Sequence, residues 1–292
     1  MKVFVTGATG WVGSAVVAEL IHSGHQVTGL VRSSDKAAAL VASGAAALHG
    51  TLDDLDLLRR AASEADAVVH TAFNHDFSRF AQSAQQDRLA IETLGSALKG
   101  TSRPLLVTAG LAHIAPGRVA TEQDVAPAEL GYPRQSEAAA NALTAQGVRA
   151  CIVRLAASVH GRGDHGFIAA MIALAREKGV SAYLGDGHNR WASVHRSDAA
   201  RLYRLALEQA HPEAIYHAVA DESISCKDIA GVIGEQLGLP VESREREHFG
   251  WLANFLGADM PASSVHTRAR LGWTPCGPDL LTDLRQGDYF AR

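Results

Sequence analysis

The chain has 292 residues, 47% of them hydrophobic and 20% charged, with a formal net charge of −4. That length buries a full core and suits one large domain, or a domain with a smaller partner. The mildly acidic balance excludes the basic surface that nucleic acid or an anionic membrane requires.

The opening residues, MKVFVTGATG, already read as a strand and a turn, so no signal peptide is expected ahead of them. Strands are predicted at residues 3–6, 26–31, 46–49, 67–72, 105–109 and 149–155, and helices at 13–23, 35–42, 55–65, 77–99 and 135–145. In the first helix Val16, Val17, Leu20 and Ile21 share one side. Continuous apolar strands alternating with helices predict a parallel sheet covered on both faces. Right-handed crossovers make it doubly wound. Beyond Leu155 the texture changes: 159–166 (VHGRGDHG) reads as a loop, 167–178 as a helix, 185–189 as a turn, 198–209 as a helix and 214–219 as a strand. From about residue 225 the chain reads as mostly helical, with the apolar residues of 248–256 (HFGWLANFL) on one helix. Aromatics at that spacing are core or the wall of a substrate cleft. No apolar run is long enough to cross a bilayer.

The three cysteines, Cys151, Cys226 and Cys276, are far apart and lack CxxC spacing. This argues against a disulfide framework or a zinc site and fits a reducing cytoplasm. The histidines and aspartates between His160 and His195 show no metal-ligand spacing, so no metal is expected.

Residues 6–13 read TGATGWVG between a strand and a helix, the context of a dinucleotide-binding turn. Gly7 permits a backbone conformation closed to residues with a Cβ. Gly10 lets the chain approach a pyrophosphate, and Gly13 lets the helix pack against the first strand. Trp11 and Val12 open that helix, whose free N–H groups and dipole favour phosphate. Thr9 could add a hydroxyl. The competing reading is a tight turn without a ligand. At the end of the second strand, Arg32 offers a charged planar fork for a 2′-phosphate, with Ser33 beside it. The expected cofactor is therefore NADP(H), with Asp35 keeping NAD open as the less favoured choice. Leu52 and Asp53, after the third strand, fall at the adenine, although Asp53 could equally cap the next helix. Thr71, Ala72 and Phe73, after the fourth strand, would floor the cleft. The expected organisation is a Rossmann domain over 1–158, with 190–220 returning to it, and a smaller substrate-binding region over 159–292.

These residues resemble the short-chain dehydrogenase/reductase superfamily in its extended or atypical, epimerase/dehydratase-like branch. The turn matches that family's TGxxGxxG. Residues 50–53, 154–165 (RLAASVHGRGDH), 191–199 (WASVHRSDA) and 268–275 (RARLGWTP) look like its later motifs. The resemblance implies a catalytic Ser/Thr, Tyr and Lys, the lysine lowering the tyrosine pKa and holding the nicotinamide ribose. Here Thr108 and Tyr132 are the candidates. Gly110 stands where the reactive hydroxyl is most often found, and four residues after Tyr132 comes Ser136. Aligning Ser136-Glu137 with the family's Ser-Lys pair puts Pro133 at the tyrosine instead. The lysine is missing either way. A tyrosine without that cation stays near a pKa of about 10 and is a poor proton donor at neutral pH. Three readings follow. One is an atypical reductase of a small carbonyl substrate with an apolar body, Arg134 standing in as the cation. The others are a non-catalytic NADP(H) sensor, and an epimerase or lyase of the same fold. A homodimer would also resemble the superfamily.

Overall fold

The computed structural model describes residues 1–125 and 133–291. The first strand, β1 (Lys2–Thr6), is followed by α1 (Trp11–His22), β2 (Gln26–Val31), α2 (Ser34–Ala42), β3 (Ala46–His49), α3 (Leu55–Glu64) and β4 (Ala67–His70). Then come α4 (Phe80–Ser96), β5 (Pro104–Gly110), α5 (Ser136–Thr144) and β6 (Arg149–Leu155). Beyond these lie β7 (Ser158–His160), α6 (Phe167–Lys178), β8 (Ser181–Leu184), β9 (Arg190–His195), α7 (Arg196–Gln209) and β10 (Ile215–Ala218). The remaining elements are β11 (Asp221–Ser225), α8 (Cys226–Leu237), β12 (Val241–Arg244), α9 (Arg246–Phe249), α10 (Ala253–Leu256), α11 (Val265–Leu271) and α12 (Leu280–Gln286).

Seven strands form one parallel sheet in the order β10-β6-β5-β4-β1-β2-β3. The chain adds strands outward from β1 to β3, then returns to the other side of β1 with β4. The order therefore reverses between β1 and β4, and the crevice beyond their carboxyl ends is where open α/β sheets bind ligands. Apolar residues of α1, α2 and α7 cover one face of the sheet, around Val16, Leu20, Leu40 and Tyr203. Those of α3, α4 and α5 cover the other, around Leu58, Ile91, Leu94 and Leu143. The doubly wound parallel sheet read from the sequence is the fold observed.

A third core surrounds Trp191, with residues of α6, α8, α10 and α12. Beside it, β7 and β9 pair in parallel and β9 and β11 antiparallel. A separate parallel pair joins β8 and β12. This half holds more strand than its sequence suggested. Val159 and His160, read as loop, belong to β7. The single helix expected over 248–256 is broken: Gly250 adopts φ +52°, a left-handed conformation that ends a helix, and separates α9 from a 3₁₀ turn and α10. Phe249, Leu252 and Leu256 still reach the core, but Trp251 stays 57% exposed. The long helix expected from residue 77 starts as a 3₁₀ turn and becomes α4 only at Phe80.

Candidate dinucleotide and substrate site

The glycine turn is built by contact rather than by flexibility. Gly7 has φ +69°, and a Cβ there would lie 2.7 Å from the Ala72 nitrogen and 2.8 Å from Thr71 Oγ1. Gly13 is tighter: a Cβ would fall 2.0 Å from the Gly7 carbonyl oxygen. Thr71 locks this approach by donating its hydroxyl to the Thr6 carbonyl at 2.8 Å. Gly10 donates to the Gly7 carbonyl at 2.8 Å and stands at the N-cap of α1, where no side chain caps the helix. The first N–H groups of α1, at Trp11, Val12 and Gly13, have no intrahelical acceptors by helix geometry, and no side chain caps them. The Thr9 hydroxyl makes no hydrogen bond among the described residues. A crowded backbone beneath an open helix end fits a pyrophosphate. Trp11 does more than open the helix. Its Nε1 donates to the Val159 carbonyl at 2.7 Å, and Arg196 stacks 4.1 Å from its ring while donating from Nε to its carbonyl.

Where the sequence places the adenine end, Arg32 and Ser33 are exposed after β2. Arg32 has no ion pair among the described residues, and Ser33, at the N-cap of α2, makes no side-chain cap bond. Asp35 lies exposed in the first turn of α2. The N-cap of α3 is Asp54, not Asp53. Hydrogen bonds from the Thr51 backbone and hydroxyl hold the Asp54 carboxyl below the usual range. Asp53 is left to accept from Gln86 Nε2 at 2.8 Å, and Leu52 packs on the core under α3 and α4.

At the ends of β1, β4 and β5 the structure gathers a buried polar chain. Thr6 Oγ1 lies 2.8 Å from His70 Nδ1, and His70 Nε2 lies 3.0 Å from Asp87 Oδ1 on α4. Ser136, at the start of α5, donates to Asp87 Oδ2 at 2.5 Å. Arg134 donates from Nε to Ser136 Oγ at 2.9 Å and from Nη2 to the Thr108 carbonyl at 3.1 Å. Its guanidinium lies 4.1 Å from the centre of the Phe73 ring and its Nε 3.9 Å from Asp87 Oδ2. Burial pushes the Asp87 carboxyl up, but the bond and charge of His70, the Arg134 cation and the Ser136 hydroxyl together hold it below the usual range. Of the two positions where the resemblance would put the lysine, Ser136 belongs to this chain, and Glu137 pairs twice at 2.8 Å with the fully buried Arg154.

Thr108 is buried, and its hydroxyl lies 2.6 Å from the phenol of Tyr203 on α7. Burial raises the Tyr203 phenol well above its ordinary value. Gly110 is exposed at the end of β5, with open space where a side chain would stand. Tyr132 lies outside the described residues.

The loop after β7 closes the opposite side. His165 meets Trp11 edge-on at 5.4 Å, and Phe167 lies 4.5 Å from Phe255 and 6.3 Å from Trp251. The loop is pinned by α12 and the residues after it. His160 Nδ1 lies 2.8 Å from Asp283 Oδ2, the Gly161 N–H donates to the Tyr289 hydroxyl, and that hydroxyl donates to Asp283. Asp198, in the resembling segment, accepts from the backbone N–H groups of Cys276 and Gly277 and so anchors the final segment. Of the predicted residues, Gly7 and Gly13 close onto Thr71 and Ala72, Phe73 stacks on Arg134, Arg32 and Ser33 stand exposed after β2, Leu52 packs on the core and Asp53 pairs with Gln86. Sequence reasoning missed Asp87, although its signal was present: it falls on the apolar stripe of Ala84, Ile91 and Leu94.

The profile of the NAD dependent epimerase/dehydratase family matches residues 3–219. The chain belongs to that family. Two fungal members resemble it end to end. The uncharacterized protein C2A9.02 of Schizosaccharomyces pombe is 47% identical, covering 99% of this chain and 100% of its own. The uncharacterized protein YLL056C of Saccharomyces cerevisiae is 45% identical, covering 98% of each. Among solved structures, DesIV, a dTDP-glucose 4,6-dehydratase from Streptomyces venezuelae with NAD and TYD bound, superposes with a TM-score of 0.78. It is 20% identical and covers 98% of this chain and 96% of its own, a likeness of fold. No helix among the described residues is long and apolar enough to cross a membrane.

Proposed function

We propose that this family member binds NADP(H) and reduces a small carbonyl substrate with an apolar body. The observation that carries the reading is the turn at Gly7, Gly10 and Gly13. A Cβ at either Gly7 or Gly13 would strike backbone or Thr71, and the helix above presents uncapped N–H groups. That cradle suits a pyrophosphate, and the epimerase and dehydratase neighbours were solved with NAD. Arg32 and Ser33, both exposed, suit a 2′-phosphate. When bound, the reduced nicotinamide would supply a hydride to the carbonyl carbon, leaving an alcohol once a proton reaches the oxygen.

The protein's own part is to orient and to shape charge. Phe73 and the Thr108 carbonyl hold Arg134 at the end of β5, where it supplies the cation the family's lysine would provide. Tyr132 is the candidate proton donor. Phe167, Phe255 and Trp251 form an apolar wall for the substrate body.

One observation favours a non-catalytic NADP(H) sensor as the second reading. The Thr108 hydroxyl is engaged by Tyr203, and Gly110 offers none. Calorimetry with NADPH and NADH tests the cofactor reading; affinity for neither refutes it. A screen for substrate-dependent loss of NADPH absorbance separates the two readings. Tight NADPH binding with no turnover across aldehydes, ketones and oxo acids would establish the sensor.

A further inference from the structure

The glycine turn and the first turn of α1 hold no lysine or arginine and no acid. A dinucleotide's pyrophosphate is doubly negative, whereas a helix end offers only about half a positive charge. The cradle therefore has no full counter-charge of its own, and the fold brings one from 185 residues along the chain. Arg196, the first residue of α7, is held against the first turn of α1 by three contacts. Its guanidinium carbon lies 4.1 Å from the centre of the Trp11 ring, its Nε donates to the Trp11 carbonyl at 2.6 Å, and its Nη2 donates to Ser14 Oγ at 2.5 Å. Ser14 in turn donates to the carbonyl of Gly10, the N-cap, at 2.6 Å. The ring that carries the stack is itself fixed, because Trp11 Nε1 donates to the Val159 carbonyl at 2.7 Å.

The packing of α7 on α1 explains this placement. Arg196 meets Trp11 and Ser14, and further along Arg204 pairs with Glu19 at 2.7 Å. The two helices thus run side by side in the same direction, with their starts together. Two positive helix poles and a guanidinium share one corner of the fold. The carboxylate in the first turn of α7, Asp198, is already engaged: it accepts from the N–H groups of Cys276 and Gly277 and from Arg201. Burial lowers the Arg196 pKa, so the three contacts hold a charge that its surroundings disfavour. Positive groups gathered at helix starts are stabilised by an anion.

We propose that Arg196 is a cofactor-binding residue that pairs with the pyrophosphate held by the N–H groups of α1. This rests on the reading that α1 receives a dinucleotide. The part played by Arg196 differs from that of Arg32. The pyrophosphate is common to both nicotinamide cofactors, so Arg196 sets the affinity for either, while Arg32 sets the choice between them.

The test is calorimetry on the full chain with NADPH and NADH, comparing wild type with Arg196→Gln and with Arg196→Met, which keeps an unbranched stem over Trp11. Both variants should bind each cofactor about tenfold more weakly or worse, with the two cofactors losing by the same factor to within about twofold. Salt supplies a second readout, which a residue that only packs α7 on α1 would not move. Between about 0.05 and 0.5 M sodium chloride the wild-type affinity for NADH should fall, and more steeply than that of either variant. Affinities within about twofold of wild type in either variant, a loss confined to NADPH, or a salt dependence equal in variants and wild type would overturn the proposal while the cofactor reading stands. A wild-type NADH affinity unmoved by salt would overturn it without recourse to either variant. A wild-type protein that binds neither cofactor would instead strike the cofactor reading, and this proposal would fall with it.

Discussion

Asp87→Ala removes the centre of the buried chain, leaves His70 Nε2 and Ser136 Oγ without their acceptor, and takes away the carboxylate 3.9 Å from Arg134 Nε. Asp87 is 1% exposed, so water does not compensate. Breaking a buried charged pair from one side costs about 3–5 kcal/mol. Unfolding entropy of about 2.1 cal/mol/K per residue gives roughly 0.6 kcal/mol/K over 292 residues. Together these predict a fall in Tm of about 5–8 °C at pH 7, read by calorimetry. The pH dependence has a definite sign. The folded-state pKa of Asp87 is depressed, so its contribution is complete above the unfolded value of about 3.9 and is lost as pH falls through the folded value. The gap between wild type and Asp87→Asn, which keeps the size and removes the charge, should therefore narrow as pH drops below about 4. A loss under about 2 °C for the alanine variant, or a gap that does not change between neutral pH and the lowest pH at which both proteins fold, would refute the assignment of a buried carboxylate to this chain.

Other consequences are accessible to routine assays. Arg32→Asp should weaken NADPH by about tenfold or more and NADH by far less, because it replaces a phosphate partner with a repelling charge; equal loss for both cofactors would remove the 2′-phosphate assignment. Gly13→Ala, whose Cβ would fall 2.0 Å from the Gly7 carbonyl, should destabilise by about 1–3 kcal/mol and abolish measurable nucleotide binding. Unchanged calorimetric affinity would show that the turn is not the cradle. Thr108→Val strands the Tyr203 phenol in the core and should cost about 1–3 kcal/mol in urea unfolding. Tyr132→Phe should abolish any NADPH oxidation, whereas retained turnover would move the proton donor elsewhere.

The first half of the fold was legible because its signals are redundant. Val3 to Val5 and Ala67 to Val69 are buried on both faces, so each strand is a plain apolar run. Gly7 and Gly13 of the turn are fixed by contacts that a Cβ would break. The second half was harder to read. Its strands span three to six residues, and β12 alternates exposed and half-buried positions with no apolar run at all. The helix break at Gly250 looked like one more permissive glycine in an aromatic run. Pairing of β7 with β9 and of β8 with β12 depends on segments more than thirty residues apart, which local periodicity does not encode. Within the site, the cofactor end followed from motif and strand order. The Asp87–Ser136–Arg134 chain did not, because it joins α4 to the start of α5, packed side by side on one face of the sheet but 49 residues apart in sequence.

The stitching of residues 160–162 to residues 283–289 bears on how the protein is made. His160 to Asp283, Gly161 to Tyr289 and Arg162 to Asp288 are ties across more than 120 positions of chain. On the ribosome, the parallel sheet can assemble once residue 218 has emerged, but the loop facing Trp11 gains its fastenings only after residue 289. A nascent chain would therefore form its parallel sheet and glycine turn before the loop after β7 is fastened.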